Sequence, residues 1–221
     1  MRFEAVLLDY NGTLIFDGDI NDWAWRQTIN ELSQEKLVFD EVYERFKGQR
    51  NEIFLENVFR ELGLPLDKAE IHRWAVHKET AYYHSFSRRH QRNRLCPGAV
   101  ELLDYLKENK IPFNLCTASL KENIDFYFDY VGLKKWFDIG KVAYDEGIFQ
   151  NKTDMYRTCA QRINTDIAEC LVIEDSPNSI TEARAAGCRN FVAIRREDTP
   201  DIPEILQVIT DFTEFNYDLL K

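Results

Sequence analysis

Short apolar runs bounded by turn residues recur along the chain as EAVLLDY, IPFNLCTAS, IGKVAY, ECLVIEDS and NFVAIRR. Segments of helical period, such as GAVELLDYLKENK and NSITEARAAGC, fall between them. A continuous apolar run of this length fits a strand buried on both faces. Its alternation with helices predicts an α/β fold, a parallel sheet covered by helices on both sides. Three runs lead into a polar residue, Asp9, Thr117 or Asp175. In open α/β sheets ligands bind outside that carboxyl edge.

From about residue 17 to residue 92 the period changes. DWAWRQTINELSQEK, FDEVYERFKG, NEIFLENVFRELG and DKAEIHRWAVHKETAYYHSF carry the helical repeat, and no convincing strand separates them. The pattern predicts a helical domain, 17–92, inserted into a core made of residues 1–16 and 93–221. The junctions fall near 15–18 and 92–97, where CPG opens the next unit with a turn and a helix.

Composition narrows the possible partners. With 221 residues and 44% hydrophobic positions the chain can bury a sizeable core. The formal net charge of -10 disfavours nucleic acid and anionic membrane surfaces, so a phosphate site must supply its own local positive field. No apolar run approaches 18 residues and the first ten residues do not resemble a signal peptide, so a soluble cytoplasmic protein, monomeric or weakly dimeric, is expected. Five dispersed cysteines without C-x-x-C spacing suggest buried thiols rather than a disulfide framework or a zinc site. The basic run SRRHQRNR, 87–94, reads as a solvated linker or as a local attractor for anionic substrates. The histidines, all between His72 and His90, lie away from every strand edge and are assigned neither catalysis nor metal binding.

Four separated pieces of sequence share one chemical logic. They are Asp9-Tyr10-Asn11-Gly12-Thr13, Thr117-Ala118-Ser119, Lys152 in QNKTDMY, and Glu174-Asp175 in VIEDSPNS. A parallel sheet brings them to one edge. Carboxylates, hydroxyls and an ammonium gathered there suit phosphoryl transfer, with a carboxylate nucleophile, oxygen ligands for Mg²⁺ and donors for the transferring group. Taken singly, Thr117 also fits a turn, Lys152 a surface position, and Glu174-Asp175 a cap for the following helix.

In these four motifs, and in LCPGAVELLDYLK after the insertion, the sequence resembles the haloacid dehalogenase-like hydrolase superfamily, in its helical-cap branch of β-phosphoglucomutase-like phosphatases. The resemblance implies a Rossmann-like core, Mg²⁺ as cofactor and a phosphoaspartyl intermediate on a small phosphorylated metabolite. It makes Asp9 the nucleophile and gives the metal to Asp9, the main-chain carbonyl of Asn11, and Asp175 helped by Glu174. Thr117, Ala118, Ser119 and Lys152 would hold the phosphoryl group, and Arg50 in GQRNEIF falls at a substrate-contacting place.

Two departures from the family pattern stand out. The lysine motif lacks the usual flanking prolines. Asn11 replaces the aspartate that protonates the leaving oxygen and then activates water, and an amide can do neither. Slow turnover, or preference for a good leaving group such as an acyl phosphate, is one expectation. The alternatives are a catalytically impaired phosphate-ligand binder, a carbon-halogen hydrolase, and a mutase-like phosphotransferase. Glu174-Asp175 argues against the halogen chemistry, which needs no Mg²⁺. Asn11, together with Asn21 in the place of an assisting histidine, argues against the mutase.

Overall fold

Strands β1 (Ala5–Leu8), β2 (Phe113–Leu120), β3 (Ala143–Asp145), β4 (Cys170–Glu174), β5 (Phe191–Ile194) and β6 (Ile205–Ile209) form one parallel sheet in the order β3-β2-β1-β4-β5-β6. They are seen in a computed structural model that describes residues 3–46, 49–89, 95–149 and 151–221. The central strands β1, β4 and β5 are buried along their whole length. One set of alternating positions, Ala5, Leu7, Cys170, Val172, Phe191 and Ala193, joins a single core cluster. Their neighbours Val6, Leu8, Leu171, Ile173 and Val192 are equally inaccessible on the opposite face. Burial of both faces explains why these strands read as unbroken apolar runs.

The chain divides into two compact units, one of Met1–Phe16 with Asn93–Lys221 and one of Asp17–Arg92. In the second, α1 (Gly18–Ser33), α2 (Phe39–Phe46), α3 (Asn51–Glu61) and α4 (Lys68–Arg89) enclose a core of Trp25, Ile29, Phe39, Val42, Phe54, Leu55 and their neighbours. Trp25 stacks on Phe54 with ring centroids 4.1 Å apart. Of the basic run at 87–94, residues 90–94 lie outside the described residues, as do Gly48 of GQRNEIF and Gln150 of QNKTDMY.

In the sheet-bearing unit follow α5 (Ala99–Glu108), α6 (Lys121–Phe126), α7 (Lys152–Gln161) and α8 (Pro177–Ala186). Helices α7 and α8 place Met155, Tyr156, Cys159, Ile180 and Ala183 in the cluster on the Ala5/Leu7 face. Two local features shape the carboxyl edge. Strand β2 runs on through Leu120, so Thr117 lies within it rather than at its end, and its pairing with β3 shifts register between Cys116 and Leu120. An irregularity of this kind re-aims side chains, here those of Thr117, Ala118 and Ser119. Helix α8 starts with Ser176 as N-cap, accepting from Ser179 N–H, and Pro177 in its first turn. The cap is thus Ser176, which leaves Glu174 and Asp175 to other partners.

Candidate active site

The order of the sheet reverses between β1 and β4, because the chain builds β2 and β3 outward on one side of β1 and the later strands on the other. Such a switch point opens a crevice at the strand ends. Asp9 is the first residue past β1, and its N–H still donates to Ile173 O at 3.1 Å, so the ladder holds it beside the end of β4. Asp9, Glu174 and Asp175 are all buried, and each offers a carboxylate oxygen within 4.8 Å of the others.

Lys152 opens α7, where Asn151 is the N-cap and accepts from Asp154 N–H. An ammonium in the first helical turn faces the positive end of the helix dipole, which local propensity disfavours. Tertiary contacts outweigh this. Lys152 Nζ donates to Asp9 Oδ1 at 2.9 Å, Glu174 Oε1 at 2.6 Å and Ser179 Oγ at 2.9 Å, which uses all three of its protons. Glu174 is equally committed. Its Oε1 also accepts from Tyr156 OH at 3.1 Å, and its Oε2 accepts from the N–H groups of Asp175 and Ser176 at 2.6 and 3.1 Å. Asp9 Oδ2, by contrast, accepts no hydrogen bond from the described residues.

Charge in this cluster is unbalanced. Burial, followed by the nearby Glu174, pushes the Asp9 carboxyl well above the usual range despite Lys152. Burial and then Glu174 push Asp175 up to about 7, opposed by Arg196. Burial works against the charges of Glu174 and Lys152 as well. Their mutual attraction, with Asp9 as a second partner for the lysine, wins, holding Glu174 low and Lys152 well above the ordinary amine. Three clustered carboxylates with only oxygen donors and one largely buried ammonium fit a hard divalent cation such as Mg²⁺ better than a thiophilic or imidazole-seeking metal.

The Asp9–Thr13 loop can approach this cluster because residue 12 has no side chain. Gly12 adopts φ +80°, and a Cβ there would fall inside the Asp175 carboxylate. Asn11 enters a second network. Thr117 Oγ1 donates to Ser119 Oγ at 3.1 Å, Ser119 Oγ donates to Asn11 Oδ1 at 2.9 Å, and Asn11 Nδ2 donates to Tyr127 OH at 3.1 Å. Tyr127 lies against Tyr10 with ring centroids 4.0 Å apart. Ala118, between the two hydroxyl residues, is exposed.

A family model for haloacid dehalogenase-like hydrolases matches residues 3–187, a span that contains every member of both networks except Arg196. The chain belongs to that family. A haloacid dehalogenase-like hydrolase of family IA, variant 3, from Entamoeba histolytica HM-1:IMSS superposes with a TM-score of 0.86 at 28% identity, covering 98% of this chain and 97% of that one. The β-phosphoglucomutase of Clostridium difficile shares the fold, with a TM-score of 0.79 at 20% identity over 99% of this chain and 95% of the other. Among curated relatives, the bifunctional riboflavin kinase/FMN phosphatase of Arabidopsis thaliana is 29% identical over 63% of this chain and 35% of its own length. The chain spans 35% to 60% of the lengths of the first curated relatives that it matches.

Within this haloacid dehalogenase-like hydrolase, the structure brings Asp9, Lys152, Glu174 and Asp175 together and links Asn11 to Thr117 and Ser119. Arg50 belongs to the other compact unit, exposed at the N-terminus of α3. Sequence reasoning missed Ser179, Tyr156, Tyr127 and Arg196. Ser179 and Tyr156 carry a weak signal, a polar group on the inward face of helices that pack on the strand ends. Tyr127 lies in a short π-helical stretch, Tyr127–Val131, which no apolar repeat reveals. Among the described residues no helix is long and apolar enough to cross a membrane.

Proposed function

We propose that the chain is a Mg²⁺-dependent phosphatase of a small phosphorylated metabolite, working through an aspartyl phosphate on Asp9. The observation that carries the reading is the Lys152 ammonium held between Asp9 and Glu174 in a carboxylate cluster that also contains Asp175. A curated relative named in part as an FMN phosphatase supports the phosphate chemistry.

In this scheme Asp9 attacks phosphorus with a carboxylate oxygen, the leaving-group oxygen departs, and water then cleaves the acyl phosphate, returning Asp9. Asp9, the Asn11 carbonyl and Asp175 would hold Mg²⁺. Bound there, the ion supplies Lewis-acid neutralisation of phosphoryl charge. Glu174, whose oxygens already accept four hydrogen bonds, orients Lys152 and the turn that carries Asp175. Lys152 restrains the repulsion between Asp9 and its neighbours. The hydroxyls of Thr117 and Ser119, which donate to Ser119 Oγ and Asn11 Oδ1 in this structure, would redirect their protons to the phosphoryl oxygens, and the Asn11 amide supplies no acid or base for the leaving group. Substrates whose leaving oxygen needs no protonation are therefore favoured.

Phosphate release from acyl phosphates, sugar phosphates and p-nitrophenyl phosphate, with Mg²⁺ and with chelator, tests the reading. Mg²⁺-dependent release that disappears in Asp9→Asn is expected. Binding of phosphate esters without turnover by the wild type would favour the impaired binder. Halide release from a haloacid without Mg²⁺ would favour attack on carbon.

A further inference from the structure

Among the described residues two cations touch the carboxylate cluster, and they are held very differently. Lys152 keeps only 12% of its side chain in solvent and engages three acceptors. Arg196, in the segment after β5, keeps about half of its side chain in solvent (53%) and reaches a single member of the cluster, with Nη1 2.6 Å from Asp175 Oδ2. Its backbone is pinned by Thr199, whose Oγ1 accepts from Arg196 N–H at 2.7 Å and donates to Arg196 O at 2.9 Å. The main chain is therefore fixed while the guanidinium can swing. Exposed Asp198 lies 3.9 Å from Arg196 Nε and offers a second acceptor on the solvent side.

Asp175 keeps one oxygen largely open to a metal and has the other held by the guanidinium. Its Oδ1 faces Thr13 Oγ1 at 3.5 Å, and its Oδ2 faces the guanidinium. Glu174 cannot substitute, since both of its oxygens are already engaged. A divalent cation that uses Asp175 must meet Arg196 across one carboxylate, where two like charges repel strongly in a partly buried site.

On the proposed reading that Asp175 is a metal ligand, we infer that Arg196 is a built-in competitor for Mg²⁺, one that yields Asp175 to the ion and turns to Asp198. Arg196 thereby lowers metal affinity without contacting the ion. With the guanidinium about half in solvent, the pair holds Asp175 only modestly although the carboxylate itself is buried, so removal of Arg196 should tighten Mg²⁺ binding about two- to fivefold.

Calorimetric titration of Mg²⁺ into wild type, Arg196→Met, Arg196→Lys and Asp175→Asn tests this without reference to turnover. Arg196→Met is expected to bind Mg²⁺ more tightly, Arg196→Lys to stay near wild type because the positive charge is kept, and Asp175→Asn to lose binding. Arg196→Gln replaces Arg196→Met if the latter fails to fold. Unchanged or weaker binding on removal of the guanidinium, with Asp175→Asn still abolishing it, would overturn the inference and leave the metal reading intact. Full affinity in Asp175→Asn would overturn the metal reading and the competition together.

Discussion

Asn11 is held from both sides, by Ser119 Oγ on its carbonyl oxygen and by Tyr127 OH on its amide nitrogen. Both hydroxyls can also donate to a carboxylate, so Asn11→Asp has partners ready for the new charge. General acid/base catalysis is worth about 10² to 10⁴ in rate, and hydrolysis of a sugar phosphate should rise toward that range in the variant while an acyl phosphate gains little. Steady-state rates at saturating Mg²⁺ check this. A wild type already fast on the sugar phosphate and slowed by the change would show that the amide is adapted to the chemistry. One residue on, Gly12→Ala forces a methyl into the Asp175 carboxylate from a left-handed backbone. Strain of this kind costs about 1–3 kcal/mol, so the variant should unfold at lower urea and lose its Mg²⁺-dependent rise in melting temperature. Retention of that rise would place the ion away from Asp175.

At the scale of elements, α4 carries the most expensive charge placement outside the candidate site. Lys78 and Glu79 are both buried and 2.9 Å apart, Asn51 Nδ2 donates to the same Glu79 oxygen at 2.6 Å, and the ammonium lies 5.4 Å from the Trp25 ring centroid. Removing one member of a buried pair strands the other, at a cost of about 3–5 kcal/mol, whereas replacing both by apolar residues is far milder. Chemical denaturation should therefore find Glu79→Leu much less stable than the double variant Lys78→Met/Glu79→Leu, and equal losses would mean that the pair is not coupled. The sequence shows α4 through its period but not this pair, because two adjacent charges on a helix ordinarily lie in solvent. The same limit applies elsewhere. Strands β1, β4 and β5 were legible because burial on both faces writes an apolar run, β2 through its buried stretch Asn114–Thr117, and the edge strand β3, where only Ala143 is buried, through the run IGKVAY that leads into it. Strand β6, ILQVI, was missed. It lies at the sheet edge and is only half buried, so its run is short and interrupted by Gln207. Asp9 and Asp175 were legible from their place after apolar runs. Lys152 was legible only as one of four pieces taken together and through the family resemblance, since a lysine opening a helix carries no local signal of burial. Arg196 was not legible at all, because its role depends on where a loop returns to β4.

For the whole molecule, the five cysteines bear on how it can be handled. All are free and buried. Burial pushes the Cys96 thiol up to about 12 and Cys188 up to about 11, and drives Cys116 and Cys170 upward too. The thiolate is the reactive form and burial bars the reagent from all five, Cys159 included, so a thiol-specific disulfide reagent at pH 8 should label none of them quickly in the native state and all of them in denaturant. Rapid native labelling of any one would mean that its part of the core opens. The position of β1 has a consequence of another kind. The strand that leads into Asp9 is made before every other strand of its sheet, yet its two neighbours, β2 and β4, lie far along the chain. At a translation rate of about 5–20 residues per second, the roughly 160 residues between Leu8 and Cys170 take on the order of 10 to 30 s to appear. Until β2 appears a fully apolar strand waits beside the ribosome with neither partner, and until β4 appears with only one, open to chaperones and to pairing with the wrong edge. Asp9, the proposed nucleophile, is thus translated early and positioned late.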